Sequence, residues 1–154
     1  MVRTFTTAAL TSNEIGPAFT LISVASPEID LAAWKNYVRP MIDGPAPQLA
    51  SAITLRNEGG YLCGLLTYRS ERDLRFGTVL AVDVFCAVDV INEDAATRAL
   101  LEAAEEKARE LRCAAVYVRL DQSQSSLARC FTAAGHRPQA QLFCKPIAPT
   151  RALI

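Results

Sequence analysis

The stretch NEDAATRALLEAAEEKARELR, residues 92–112, decides the fold because it carries the clearest helical pattern in the chain. Its apolar residues recur three or four positions apart, a spacing that puts them on one face of a helix: Leu100, Ala104, Ala108 and Leu111. Charged residues fill the opposite face, with Glu105 and Arg109 spaced to pair. The stretch therefore predicts an amphipathic helix that packs on a larger body.

The segments before this helix are typical of strands. In residues 78–91, one set of apolar side chains alternates with a second set that Asp83 interrupts, which predicts a strand buried on one face and semi-polar on the other. Residues 49–56 also alternate, and the turn sequence NEGG at 57–60 joins them to a partner strand at 61–69. Together these segments predict a three-stranded meander.

The N-terminal part of the chain has weaker patterns. Residues 1–18 show no clear period and are interpreted as a loose arm, and the apolar run at 19–24 is taken as the first strand. A helix signal follows, since Ser26 is a favourable cap and Pro27 suits the first helical position. Pro40 disfavours helical backbone at the residue before it. The apolar face of this predicted helix contains Leu31, Trp34, Val38 and Met41.

The segments after residue 112 complete the order of elements. Residues 114–120 predict a short strand, residues 123–134 a helix that Gly135 closes as a left-handed cap, and residues 141–147 a last strand. The whole order is strand, helix, three-stranded meander, helix, strand, helix, strand. It predicts one α/β (α+β) domain with a mixed, mostly antiparallel sheet flanked by helices.

Charge and composition exclude several classes of function. The 154 residues include 16 Lys plus Arg and 16 Asp plus Glu, so the basic excess of a nucleic-acid-binding domain is missing. His136 is the single histidine, which excludes multi-histidine metal sites. The five scattered cysteines are interpreted as buried residues of a reducing compartment. Because no stretch resembles a signal peptide or membrane span, we expect a cytoplasmic protein without nucleic-acid or membrane partners.

Two stretches of the second half resemble the GNAT acyltransferase superfamily. The sequence RALLEAAE at residues 98–105 is similar to the helix that follows that family's phosphate loop, and residues 124–136 match the spacing of its last helix. The resemblance is good over residues 79–147 and preserves the element order over 19–76. It implies a GNAT-like domain at residues 19–147, with an N-terminal arm at 1–18 and a C-terminal tail at 148–154.

The resemblance also implies an activity and a site. Family members move an acyl group from acetyl-CoA or another acyl-CoA to an amine, here a small-molecule or peptide acceptor, and a homodimer is compatible with such folds. Asp83 matches the position of a general base on the long strand. The backbone of Phe85 and Ala87 matches the segment that holds the pantetheine arm. The positions matching the phosphate loop, which would receive the pyrophosphate, are Asn92, Ala95, Ala96, Thr97 and Arg98.

Departures from the family pattern leave a second interpretation open. Ala95 and Thr97 replace the two loop glycines, and the carboxylates of Glu93 and Asp94 would repel a pyrophosphate at close range. Acidic residues in the first turn also stabilise a helix without any ligand. The alternative is a non-catalytic binding or assembly module that has lost ordinary CoA binding.

The positions that match catalytic groups also keep two interpretations. Phe131 stands where many family members have a general-acid tyrosine, and it has no proton to give. The neighbouring thiol of Cys130 is either a proton donor or a core residue. Asp83 is either a base for an ammonium substrate or an ion-pair partner.

Overall fold

The computed structural model describes residues 4–44, 49–88 and 93–148, and five strands form one sheet within these ranges. Neighbouring strands from the first to the fourth are antiparallel, and the fifth runs parallel to the fourth. The predicted mixed, mostly antiparallel sheet is confirmed. The strands lie side by side in chain order: β1 (Thr6–Ala9), β2 (Ala50–Arg56), β3 (Leu62–Asp73), β4 (Gly77–Ala87) and β5 (Ala115–Val118).

Helices cover both faces of the sheet. They are α1 (Ile15–Ala25), α2 (Leu31–Asp43), α3 (Glu93–Glu110) and α4 (Ala128–Ala133), with 3-10 helices at Ser12–Glu14 and Gln122–Leu127. Among the described residues, none of these helices combines the length and apolar character needed to cross a bilayer.

Each face of the sheet has its own buried cluster. On one face α3 packs Leu100 and Leu101 against the strands, as its apolar stripe predicts. On the other face Trp34 and Val38 of α2 pack together with α1. The indole nitrogen of Trp34 donates to the carbonyl of Ile15 at 2.8 Å, which ties α2 to α1. Burial of each leucine contributes about 1.5–3 kcal/mol relative to exposure.

A β-bulge in β4 breaks the predicted continuous alternation of residues 78–91. Val82 pairs with Tyr68 and Val84 pairs with Thr67, so Asp83 has no residue opposite it. An extra residue in one strand reverses the face on which the following side chains lie. Val82 therefore packs on the α3 side before the bulge, and Phe85 packs on that same side after it.

The interpretation of residues 1–18 as a loose arm is wrong where the structure describes them. β1 pairs with β2 from Thr6 to Ala9, and α1 begins at Ile15. The apolar run at 19–24 belongs to α1 and is not a strand. The sequence hid both elements because β1 is an exposed edge strand and α1 is apolar on most of its surface.

The helix predicted to begin near Ser26 begins later and runs further. The Asp30 carboxylate accepts the backbone N–H of Ala33 at 2.7 Å, so Asp30 is the cap. Pro40 lies inside α2, which continues to Asp43. Packing of the Trp34 face keeps this helix intact although proline removes one backbone hydrogen bond.

The C-terminal region agrees with the prediction only in part. Gly135 adopts the predicted left-handed conformation, with φ of 96°. The helix predicted at 123–134 is divided into the 3-10 helix Gln122–Leu127 and the short α4. The strand predicted at 141–147 is absent, since residues 137–148 form neither helix nor strand and are exposed.

Replacing the α2 cap tests which residue begins this helix. We expect Asp30→Ala to lower the free energy of unfolding by about 0.5–2 kcal/mol, because the N–H of Ala33 loses its acceptor. Ser26→Ala is the matched control and should change it by less than about 0.5 kcal/mol. Urea denaturation measures both, and a larger loss in Ser26→Ala would show that the helix starts at the sequence-predicted cap.

Candidate functional site

The candidate site lies where β4 and β5 separate. The two strands pair from Val79 to Val82 on β4, and the last bond between them joins the N–H of Arg119 to the carbonyl of Val82. β4 continues to Ala87, whereas the chain after β5 turns into the 3-10 helix Gln122–Leu127. An opening forms between β4 and this 3-10 helix.

The backbone of β4 turns away from β3 at two predicted positions. The N–H of Val88 donates to Cys63 on β3 at 2.7 Å. Since successive residues of a strand turn their N–H and C=O groups to opposite sides, Ala87 and Phe85 direct theirs away from β3, and Phe85 lines the opening. The Phe85 side chain packs edge-to-face on Phe131, with ring centroids 5.1 Å apart. Phe85 thus offers only its backbone to a ligand.

A glutamine side chain occupies part of the opening. The amide nitrogen of Gln124 donates to the carbonyl of Phe85. Its amide oxygen accepts the N–H of Asp121, the cap of the 3-10 helix, at 3.3 Å. The signal for this contact is the spacing of a capping box, an Asp followed three residues later by a Gln. That spacing predicts the cap, but it does not predict the contact with β4.

The space left in the opening is a cavity of about 50 Å³. This is enough for one or two water molecules. Besides Gln124, its lining includes Asp83, Cys86 and Arg119. Burial raises the pKa of the Cys86 thiol to about 12, so this thiol stays protonated at neutral pH.

A larger cavity of about 580 Å³ adjoins the first across the 3-10 helix, since Gln124 lines one and Ser125 the other. It lies between the start of α3 and α4. Two guanidinium groups and two hydroxyl groups line it, which is the donor chemistry that binds phosphate. The lining residues are Asp94, Arg98, Ser125, Ser126, Arg129, Cys130 and Ala133.

The residues that match the phosphate loop differ in exposure where the structure describes them. Asn92 lies outside the described residues. Ala96 and Thr97 are fully buried, so their side chains cannot touch a ligand. Ala95 is half-buried, and Arg98 is exposed and reaches the larger cavity.

Two acids occupy the first turn of α3. This is the position at which acidic residues stabilise a helix without a ligand, as in the interpretation of the chain as a non-catalytic module. Glu93 and Asp94 are both exposed there. The thiol of Cys130 donates to the carbonyl of Asp94 at 3.8 Å, and burial raises the pKa of that thiol. Cys130 is thus packed between α4 and α3, and it is one of the residues that line the larger cavity.

The Asp83 carboxylate lies between two arginines. One oxygen accepts the Nε–H of Arg69 at 2.8 Å, and the other lies 3.8 Å from Arg119. The hydrogen bond to Asp83 raises the pKa of Arg69. The geometry provides the ion pair, and the role of Asp83 as a base stays a prediction.

A tyrosine that the sequence patterns did not single out lies beside this ion pair. The Tyr37 hydroxyl on α2 is 3.3 Å from the Thr67 hydroxyl on β3, directly across from the bulge. Burial raises the pKa of Tyr37, so its hydroxyl keeps its proton at neutral pH. Tyr37 therefore has a protonated hydroxyl close to the ion pair of Asp83.

Solved acetyltransferases have a similar fold. The aminoglycoside N-acetyltransferase AAC(6')-Iy in complex with CoA matches with a TM-score of 0.77 at 8% identity, over 96% of this chain and 98% of that one. The chain has the GNAT fold. Ribosomal-protein-alanine N-acetyltransferase from Brucella melitensis biovar Abortus 2308 gives a TM-score of 0.73 at 13% identity, over 94% of this chain and all 100% of that one.

A third solved structure with a similar fold belongs to a different kind of protein. A transcriptional regulator from Bacillus halodurans C-125 gives a TM-score of 0.75 at 12% identity, over 94% of this chain and 100% of that one. No protein-family model and no curated protein sequence matches the chain. The matches confirm the fold that residues 98–105 predicted, and they leave its activity to be argued from the site.

Removing the glutamine from the opening tests the contact with β4. We expect Gln124→Ala to destabilise the fold by about 1–3 kcal/mol, because the buried carbonyl of Phe85 loses its donor. Gln122→Ala, on the exposed side of the same 3-10 helix, is the control and should be nearly neutral. Equal stability of the two variants in thermal unfolding would contradict the contact.

Proposed function

We propose that the chain is an acyl-CoA-dependent N-acyltransferase that moves an acetyl or other acyl group to an amine by direct attack. The observation that carries the proposal is the opening beside β4, where Phe85 lines a small cavity and a larger cavity with two arginines lies next to it. The GNAT fold supports it, since acetyltransferases of that fold match the chain over nearly its whole length.

The opening suits the pantetheine arm of CoA. The carbonyl of Phe85 already accepts an amide N–H, from Gln124, which is the group that a pantetheine amide would offer. An extended ligand with such amides would continue the hydrogen bonding of β4 where β5 has left it. Because the Gln124 amide takes the same acceptor, it would have to move aside when the ligand binds.

The larger cavity suits the phosphates. Arg98 from α3 and Arg129 from α4 bring two positive charges to it, and Ser125 and Ser126 add hydroxyl donors. Arg129 lies 31 residues from Arg98 along the chain and offsets the acidic start of the helix. The two positive charges would offset the electrostatic repulsion between a bound phosphate and the carboxylates of Glu93 and Asp94.

The acceptor amine would approach Asp83 from the α1 and α2 side. In the transfer, the amine nitrogen forms a bond to the thioester carbonyl carbon and the carbon–sulfur bond breaks. Asp83 takes the ammonium proton, directly or through a water molecule, and Tyr37 gives a proton to the departing thiolate. The second proton that the nitrogen loses as the amide forms restores the Tyr37 hydroxyl. Phe131 cannot serve as that donor, because it carries no proton and is buried against Phe85.

One observation favours a second function, a non-catalytic binding module. The Gln124 side chain fills the hydrogen-bonding position beside Phe85 without any ligand, and the first-turn acids satisfy the helix dipole without phosphate. In that case the GNAT fold would remain while CoA binding is lost.

Titration with CoA separates the two functions. We expect acetyl-CoA at 100 times its dissociation constant to stabilise the fold by about 2.7 kcal/mol, seen as a rise in melting temperature. The double variant Glu93→Gln and Asp94→Asn should bind more tightly, because repulsion of the phosphates is removed. Millimolar acetyl-CoA without a shift in either protein would support the binding module instead.

Matched arginine variants locate the binding site. Arg98→Gln and Arg129→Gln should each weaken CoA binding roughly tenfold, since each removes a charge-assisted phosphate contact. Arg109→Gln removes the same charge from the other end of α3 and should leave affinity unchanged. Equal effects of all three would indicate only a general loss of positive charge.

The proposed proton transfers predict different pH behaviour for two variants. With a panel of primary amines, release of the CoA thiol should fall by a factor of about 10²–10⁴ in Asp83→Asn. This loss should shrink as the pH approaches the pKa of the amine, because a neutral amine needs no base. Tyr37→Phe should also lose kcat, without recovery at high pH. A loss in Asp83→Asn that does not depend on pH would assign Asp83 to the ion pair alone.

A further inference from the structure

Arg119 lies directly after β5, beside the carboxylate that the proposed function uses as a base. One of its terminal nitrogens is 3.8 Å from Oδ1 of Asp83, which is longer than a hydrogen bond. Among the described residues, the Arg119 guanidinium donates no hydrogen bond. The side chain is 49% exposed, and the residue lines the small cavity beside β4. Its donors therefore remain available to a ligand.

The second arginine at Asp83 is already occupied by protein groups. Arg69 donates from Nε to Oδ2 of Asp83 at 2.8 Å, and one of its terminal nitrogens lies 2.9 Å from a carboxylate oxygen of Glu71. Two carboxylates thus neutralise Arg69, whereas no carboxylate of the described residues lies within hydrogen-bond distance of the Arg119 guanidinium. Oδ1 of Asp83 likewise accepts no hydrogen bond in the part of the chain that the structure describes. An unused acceptor and an unused donor therefore lie side by side.

An acceptor amine has to approach Oδ1 of Asp83 in the presence of this guanidinium. The proposed transfer begins with an ammonium group, which carries the same charge as Arg119. Like charges repel at this separation, and more strongly in a half-buried site than in water. Asp121, the other acid that lines the small cavity, accepts the Ser26 hydroxyl at 3.4 Å and makes no ion pair with Arg119. An acceptor that carries its own anionic group beside the amine removes the repulsion.

We propose that the acceptor is a free α-amino acid, whose ammonium group binds Oδ1 of Asp83 and whose carboxylate binds Arg119. This assignment of the acceptor rests on the proposed function, in which Asp83 faces the amine. In an α-amino acid, the nitrogen and the nearer carboxylate oxygen are roughly 3 Å apart. This separation is close to the 3.8 Å between the Asp83 oxygen and the Arg119 nitrogen, so both charges of the amino acid are paired at once.

This pairing selects against amines that lack a neighbouring carboxylate. The first residue of a peptide carries a neutral amide in that place, which leaves Arg119 without a partner and the ammonium group beside a positive charge. A site built to pair a polar group of its substrate rejects the analogue that lacks this group. Arg119 is therefore a specificity-determining residue, and free amino acids are preferred to peptides and to simple amines.

Calorimetric titration with matched amino acids measures this preference. The ligands are L-alanine, L-methionine, L-glutamate and L-lysine, each compared with its own α-carboxamide, which keeps the amine and the side chain. The full-length protein is supplied with millimolar CoA, which has no acyl group to transfer, and each titration is repeated without CoA. At least one of these amino acids should bind about tenfold more tightly than its carboxamide, because the carboxamide lacks the charge-assisted pair with Arg119.

Substitution of Arg119 shows whether this residue provides the preference. Arg119→Gln should bind the amino acid about tenfold less tightly and bind the carboxamide as before. Arg119→Lys keeps the charge without the planar fork and should restore part of the preference. Arg72→Gln is the matched control, since Arg72 is exposed on the face of β3 opposite to Arg69, and it should keep the full preference. In the transfer assay, Arg119→Gln should raise KM for the amino acid far more than it lowers kcat.

Two results would overturn the proposal. One is that none of the tested amino acids binds the wild-type protein more tightly than its carboxamide, and the other is a preference that survives in Arg119→Gln. Failure of the proposed function gives a different result. If amino-acid binding depends on Arg119 while acetyl-CoA acetylates none of the tested amines, the activity is contradicted and the amino-acid site is supported.

Discussion

The separation of β4 from β5 after Val82 is the constraint on which the site depends. As long as two parallel strands pair, their backbone groups are used by each other and none remains for a ligand. Once β5 turns away, the carbonyl of Phe85 needs another donor, and in this chain Gln124 supplies it. The bulge at Asp83 falls at the same point and turns the following side chains to the other face. The unpaired backbone groups of β4 and the placement of its side chains therefore both result from the interruption of regular strand pairing at this point.

Local sequence patterns predicted the elements that local forces determine. The helix at Glu93–Glu110, the hairpin from β2 to β3 and the left-handed Gly135 follow from periodicity and turn chemistry. Tertiary packing determines the features that were missed. Pro40 stays within α2 because the Trp34 face is buried, and the bulge at Asp83 is set by its pairing with β3. The exposed edge strand β1 has no apolar alternation that a sequence pattern could reveal.

Some residues of the candidate site were likewise predicted from the sequence, and others were missed. Phe85, Ala87 and Arg98 were predicted because a family resemblance carries positions along the chain. Phe85 and Arg98 each line one of the two cavities, and their role in binding a cofactor stays a prediction. Gln124 and Arg129 were missed, since each acts on an element more than 30 residues away. No spacing rule links such pairs. A three-dimensional arrangement is needed to show that Gln124 and Arg129 complete surfaces built by residues more than 30 positions earlier.

Charge shows why position matters more than total composition. The chain is neutral, yet its helix α3 begins with two exposed acids where a phosphate ligand would approach. Local charge along the sequence predicts repulsion there. In space, Arg98 and Arg129 face the same cavity as Asp94, so the field at the cavity depends on two elements that the sequence separates. Fold and side-chain identity are separate properties here, since solved structures at 8–13% identity share the backbone arrangement of this chain.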